Sequence, residues 1–210
     1  MNLSFNARQE LANSLSHGFG FLFGIISLPI LLILAAQNGH IAGLVGAAIY
    51  GFSFLMLFGF STLYHSFQQP ALKSIFQKID HISIYFLIAG TYTPLILMYL
   101  FNGVGIALLV GLWSLVVFGT IFKLFFTGRF EKLSLFIYLA MGWSLVLVAK
   151  PFFANMSAGV LALLATGGGL YTLGVVFYRW EKLPYHHAIW HLFVLAAGIC
   201  HYVSVLLALS

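Results

Sequence analysis

Residues Val104–Phe126 read VGIALLVGLWSLVVFGTIFKLFF, with Lys123 as the one charge among them. At about 1.5 Å per residue a helix of this length covers the roughly 30 Å of hydrocarbon in a bilayer. The run lacks an alternation of period two and far exceeds the roughly ten residues of a barrel strand, so it reads as a spanning helix. Six further runs share this character, at Leu15–Ala36, Ile41–Tyr64, His81–Leu100, Leu133–Ala149, Ala154–Tyr178 and His187–Ala208. Between them fall helix-stopping combinations such as Gln37-Asn38-Gly39, Gln68-Gln69-Pro70, Asn102-Gly103 and Lys182-Leu183-Pro184. The expected fold is all-α, a seven-transmembrane helix bundle forming a single integral membrane domain over residues 1–210.

Composition demands the same solvent. Of 210 residues 62% are hydrophobic and 6% charged, where a soluble domain carries roughly a quarter charged residues. Four acidic and nine basic side chains cannot coat a globule in water. The basic residues sit singly in short gaps rather than in a patch, which excludes nucleic acid as a partner and leaves membrane lipids. Cys200 is the single cysteine, so no disulfide framework exists.

Lysine and arginine orient the bundle, because cytoplasmic loops retain them. Arg8, Lys73, Lys78, Lys123, Arg129, Lys132, Arg179 and Lys182 fall on one side and Lys150 on the other. The expectation is a cytoplasmic N-terminus and an external C-terminus, in a bacterial inner membrane. A cleavable signal peptide ending near Ala35-Ala36 competes for the first run, which is longer than a usual signal core. Gly167-Gly168-Gly169 in the sixth run reads as tight helix packing or as a flexible segment beside a lateral lipid opening.

Ionisable groups inside a span are costly and point to function. His65 closes the second run, Asp80 precedes the third, and His187 and His191 open the seventh, so alternating chain direction brings all four to one depth. His187 and His191, four apart, project from one helix face about 6 Å apart along the axis. With His65 they form a three-nitrogen set suited to zinc, with a fourth position open as in catalytic sites. Asp80, the only acid expected beside this cluster, is either a fourth ligand or the base that takes a proton from water held by the metal. Ser61, one turn before His65, supports the site. Simpler readings compete: Asp80 as the N-cap of the third helix, Ser61 bonded to the carbonyl of the preceding turn, and His40, His186 and His201 as interfacial side chains. His201 lies ten residues beyond His191, roughly 15 Å along the helix and too deep for the same site.

Four motifs carry a resemblance: Glu10-Leu-Ala-Asn13-Ser-Leu-Ser-His17; Ser61-Thr-Leu-Tyr-His65; Asp80-His-Ile-Ser-Ile-Tyr85 with Ala89-Gly-Thr-Tyr-Thr-Pro94; and His187-Ala-Ile-Trp-His191. In this order and spacing the chain, from about Glu10 to its end, resembles the hemolysin III family, the bacterial branch of the progestin and adiponectin receptor superfamily. The resemblance implies zinc held by His65, His187 and His191, Asp80 on the zinc-bound water, Ser61 beside it, and the same orientation as the charge count. Glu10, Asn13 and His17 match the first motif, as support of the site or as a helix start capped by Asn13. The wider superfamily resembles intramembrane zinc amide hydrolases acting on lipids, and its bacterial members carry haemolytic and lipid-homeostasis associations. Three functions are therefore weighed: a zinc-dependent lipid amide or ester hydrolase, a non-enzymatic membrane sensor or regulator, and a cytolysin. The last lacks a polar path through the bilayer, since runs four to six are almost wholly apolar.

Overall fold

The computed structural model describes residues 5–210, and every regular element among them is helical. In chain order these are α1 (Phe5–Gln37), α2 (Ile41–Ser66), α3 (Pro70–Tyr99), α4 (Gly103–Phe126), α5 (Glu131–Gly142, continued as a 3₁₀ segment Ser144–Val148), the short α6 (Ala149–Phe153), α7 (Ala158–Arg179) and α8 (His186–Leu209). Seven of these segments are long and apolar enough to cross a membrane, α5 together with its 3₁₀ continuation counting as one. Their outer faces expose large apolar side chains, among them Leu147 at 83%, Phe125 at 75% and Ile26 at 70%. A bilayer accepts such a surface and water does not.

Local chemistry sets the helix ends. Pro70 fills the first turn of α3, where a missing N–H does no harm. Asn102 caps α4 by accepting from the backbone N–H groups of Val104 and Gly105 at 3.0 and 3.1 Å, and Ser157 caps α7 by accepting from Val160 N–H at 3.3 Å.

Two helices begin well before the apolar runs that announce them. α1 starts at Phe5 rather than Leu15, and α3 at Pro70 rather than His81. Both extensions are more polar than the runs they precede. The α1 extension buries Asn13 against its neighbours, and the α3 extension starts at Pro70 and keeps its residues partly exposed. Two capping readings fall with these starts: Asn13 and Asp80 are helix-interior residues, not N-caps.

The fifth apolar run is not one α-helix. α5 stops at Gly142 and the chain tightens into the 3₁₀ segment, which frees backbone groups inside a bundle where they need partners. Tyr92 of α3 supplies them: its hydroxyl donates to Gly142 C=O at 2.7 Å and accepts from Leu145 N–H at 2.9 Å.

α3 is the central helix, with 67% of its most apolar window buried; it contacts α2, α4, α5 and α8, while α1 closes the bundle against α2 and α8. The α2–α3 approach is close because Gly46 faces Pro94: a Cβ there would stand 2.6 Å from the Pro94 Cα. This packing brings the start of α1, the end of α2, the first half of α3 and the start of α8 to the same end of the bundle.

Candidate metal centre

At that end, the last turns of α2 carry Ser61 and His65, and the first turns of α8 carry His187 and His191. The ring centroids of His65 lie 5.1 Å from those of both His187 and His191, which are themselves 4.5 Å apart. One nitrogen from each ring falls within 4.8 Å of the others. Three imidazoles on one ion at 2.0–2.1 Å would hold their nitrogens about 3.3 Å apart, so small side-chain rotations close the set.

The decisive feature is how the other ring nitrogens are used. His65 Nδ1 lies 2.6 Å from Glu10 Oε2 and 3.4 Å from Asn13 Nδ2. His191 Nδ1 lies 3.1 Å from the Asn13 carbonyl and 3.1 Å from Ser16 Oγ. With a carboxylate and a carbonyl as acceptors, both Nδ1 atoms carry the proton, which leaves the Nε2 atoms as lone pairs. Both Nε2 atoms are buried with no hydrogen-bond partner among the described residues. An orphaned buried acceptor costs about 1–3 kcal/mol, and two such lone pairs facing a third imidazole form a donor set for a metal ion. Carboxylate and carbonyl behind ligating imidazoles is the arrangement that orients such rings and raises their basicity.

Glu10 corrects one expectation. Asp80 is not the only acid beside the histidines, because the early start of α1 lays Glu10 over the end of α2, where it bonds His65 and, through Oε1, Lys73 Nζ at 2.9 Å. Asp80 lies outside the group that closes within 4.8 Å. Its carboxyl faces the Ser61 hydroxyl, which is 1% exposed and makes no regular hydrogen bond among the described residues. The reading of Ser61 as bonded to its own helix is therefore corrected. His17 lies beside the cluster, its ring stacked on that of His191 at 3.6 Å and 18°. His40 is exposed at the start of α2. His186 opens α8 outside the ligand set. His201 is not interfacial: it lines cavities inside the bundle, in space Gly167 leaves, where a Cβ would stand 2.4 Å from the imidazole.

Two kinds of space meet here. A vestibule of about 600 Å³ is lined by His65, His187 and all four carboxylates of the chain, Glu10, Asp80, Glu131 and Glu181. An apolar cavity of about 130 Å³ runs inward past Asp80 and His17 to Tyr92 and His201. Beyond it a second one of about 240 Å³ shares Tyr92, Trp143 and His201. Asp80 lines both the vestibule and the first apolar cavity.

Ser16 and Lys73 join the site without having been singled out from sequence. Ser16 lies three residues after Asn13, on the same helical face, which is a usable signal. Lys73 has none, because its contact is set by how α3 crosses α1.

With this geometry in view, the model of the Haemolysin-III related family matches residues 5–202. The chain belongs to that family. The match contains every residue of the histidine cluster and of its hydrogen-bonded support. The chain is 46% identical over 202 residues to the Hemolysin-3 homolog of Bacillus subtilis, covering 96% of this chain and 95% of that protein. It is 43% identical over 199 residues to Hemolysin-3 of Bacillus cereus, covering 95% and 91%. It is also 32% identical over 203 residues to the human Monocyte to macrophage differentiation factor, covering 94% and 83%. No solved structure matches. This member of the Haemolysin-III related family is thus a multi-pass membrane protein with three histidines placed to hold a metal.

Proposed function

We propose that the protein is a zinc-dependent hydrolase of a lipid amide or ester, acting in membrane lipid homeostasis. It sits in a bacterial inner membrane with the N-terminus and the histidine cluster on the cytoplasmic side. The observation carrying this reading is Asp80, one carboxylate on the shared wall between the vestibule of the three histidines and an apolar cavity. The apolar side suits the first methylenes of an acyl chain, and the polar side is open to water and protons.

His65, His187 and His191 are the ligands, and three neutral imidazoles with an open fourth position suit zinc. Zinc bound there supplies a polarised carbonyl and a water acidic enough to ionise near neutral pH. Asp80 takes the proton from the attacking water and returns it to the leaving amine or alcohol. Ser61 faces the Asp80 carboxyl and holds it toward the cluster. Glu10 and Asn13 keep His65 and His191 in the ligating tautomer. The substrate enters from the bilayer beside α5 and α7, where Trp143 of the 3₁₀ junction lies over Gly168, 3.7 Å from the position of a Cβ.

A second reading has its own support. The cluster ties α1, α2 and α8 together, so a metal there also suits a non-enzymatic sensor in which bound ion sets helix packing. A cytolysin has only names behind it, those of the family and of two Bacillus relatives. The test is Asp80→Asn. The hydrolase reading expects full metal content with release of fatty acid from ceramide or phospholipid reduced by 10²–10⁴-fold. Unchanged release with metal retained removes Asp80 as the base. A wild type that releases nothing, while His65→Ala still loses a membrane-homeostasis phenotype, selects the sensor.

A further inference from the structure

His17 is the site residue that neither the metal nor the support network uses. Its side chain is 2% exposed, and neither ring nitrogen has a hydrogen-bond partner among the described residues. The His191 backbone lies beside the ring, outside regular hydrogen-bond geometry. Packing holds the ring in place: one face stacks on His191 at 3.6 Å and Phe58 meets it edge-on at 4.9 Å. Phe58 in turn fills the space left by Gly20, where a Cβ would stand 2.2 Å from its ring. An apolar side chain in this slot would strand neither a donor nor an acceptor. Buried polar groups are satisfied in the great majority of cases, and an exception calls for a reason.

The reason is on the cavity side. His17 lines the apolar cavity that Asp80 also lines, whose other walls are mostly aliphatic and aromatic. A neutral imidazole offers one donor and one acceptor, so it recognises a group that supplies their complements. Charged groups are disfavoured in such surroundings.

We propose that His17 binds the substrate directly, hydrogen-bonding an uncharged amide, ester or hydroxyl group of a lipid whose acyl chain occupies the apolar cavity. This rests on the lipid-hydrolase reading for its ligand class but not on turnover. His17 selects which lipid is held beside the metal ligands, and its unpaired nitrogens are the resting-state consequence of that task.

The test uses the full-length protein in nanodiscs and two photoreactive probes with a mid-chain diazirine, a C16 N-methyl fatty amide and an alkane of matched length. Labelling of cavity peptides is read by mass spectrometry, and bound metal by elemental analysis of the same samples. Wild type labels with the amide in preference to the alkane. His17→Phe keeps a planar aromatic ring stacked on His191, so it retains metal and alkane labelling and loses about tenfold in amide labelling, as expected for one buried hydrogen bond. His17→Gln restores part of the preference. Equal labelling of wild type by both probes overturns the proposal without any variant. So does a Phe variant that keeps its amide preference, or one that loses metal and amide labelling together, which would make His17 a support of the metal site. A protein that selects the amide but hydrolyses no lipid keeps His17 as the binding residue and removes only the hydrolase reading.

Discussion

Glu10 of α1 and His65 of α2 are joined across 55 residues of sequence by a 2.6 Å contact between Oε2 and Nδ1. The contact fixes which nitrogen of His65 is free, and Lys73 holds the other carboxylate oxygen at 2.9 Å. A motif at the start of the chain thereby sets the coordination chemistry of a histidine one helix away.

Glu10→Ala should weaken metal binding by about 10–100-fold, the usual consequence of losing a carboxylate behind a ligating imidazole. Competition against a chelator of known affinity measures it. The same affinity in variant and wild type would show that Glu10 does not act through His65.

Glycine positions give a paired test of packing. Gly46→Ala forces a Cβ to within 2.6 Å of the Pro94 backbone, where overpacking costs about 1–3 kcal/mol. Gly111→Ala in α4 meets nothing within 4 Å and should be neutral or stabilise by up to about 1 kcal/mol through helix propensity. Thermal melts in detergent should order the two variants on opposite sides of wild type, or Gly111→Ala level with it. A Gly46→Ala protein as stable as wild type would refute the α2–α3 contact.

Tyr92→Phe removes the hydroxyl that bridges Gly142 C=O and Leu145 N–H. Leaving these groups unpaired should destabilise by about 1–3 kcal/mol and raise amide hydrogen exchange locally, at residues 142–146. Exchange that rises across all helices, or nowhere, would contradict a local role.

Much of the fold was legible because hydropathy reports lipid exposure, and the 20-residue scale of the bilayer makes spanning helices obvious. His187 and His191 were legible because their spacing places them on one face of one helix, and His65 and Asp80 because helix direction fixes depth. The polar starts of α1 and α3 were not, since they lie outside the apolar runs by which hydropathy marks a spanning helix. That loss left Glu10 a support of the site by its motif alone, without His65 as its partner, and made Asn13 and Asp80 look like caps. His201 was misread for a related reason: facing into the bundle or out of it is decided by Gly167 on a different helix. The change from α to 3₁₀ at Gly142 depends on a hydroxyl from α3 and leaves no local sequence pattern.

The central claim is that His65, His187 and His191 hold one metal ion. Elemental analysis of purified wild type beside His65→Ala, His187→Ala and His191→Ala tests it most directly. The account predicts one zinc per wild-type chain and a large loss in each variant that still folds as a monodisperse helical protein. Equal zinc in all four proteins, or none in the wild type after zinc loading, would contradict it.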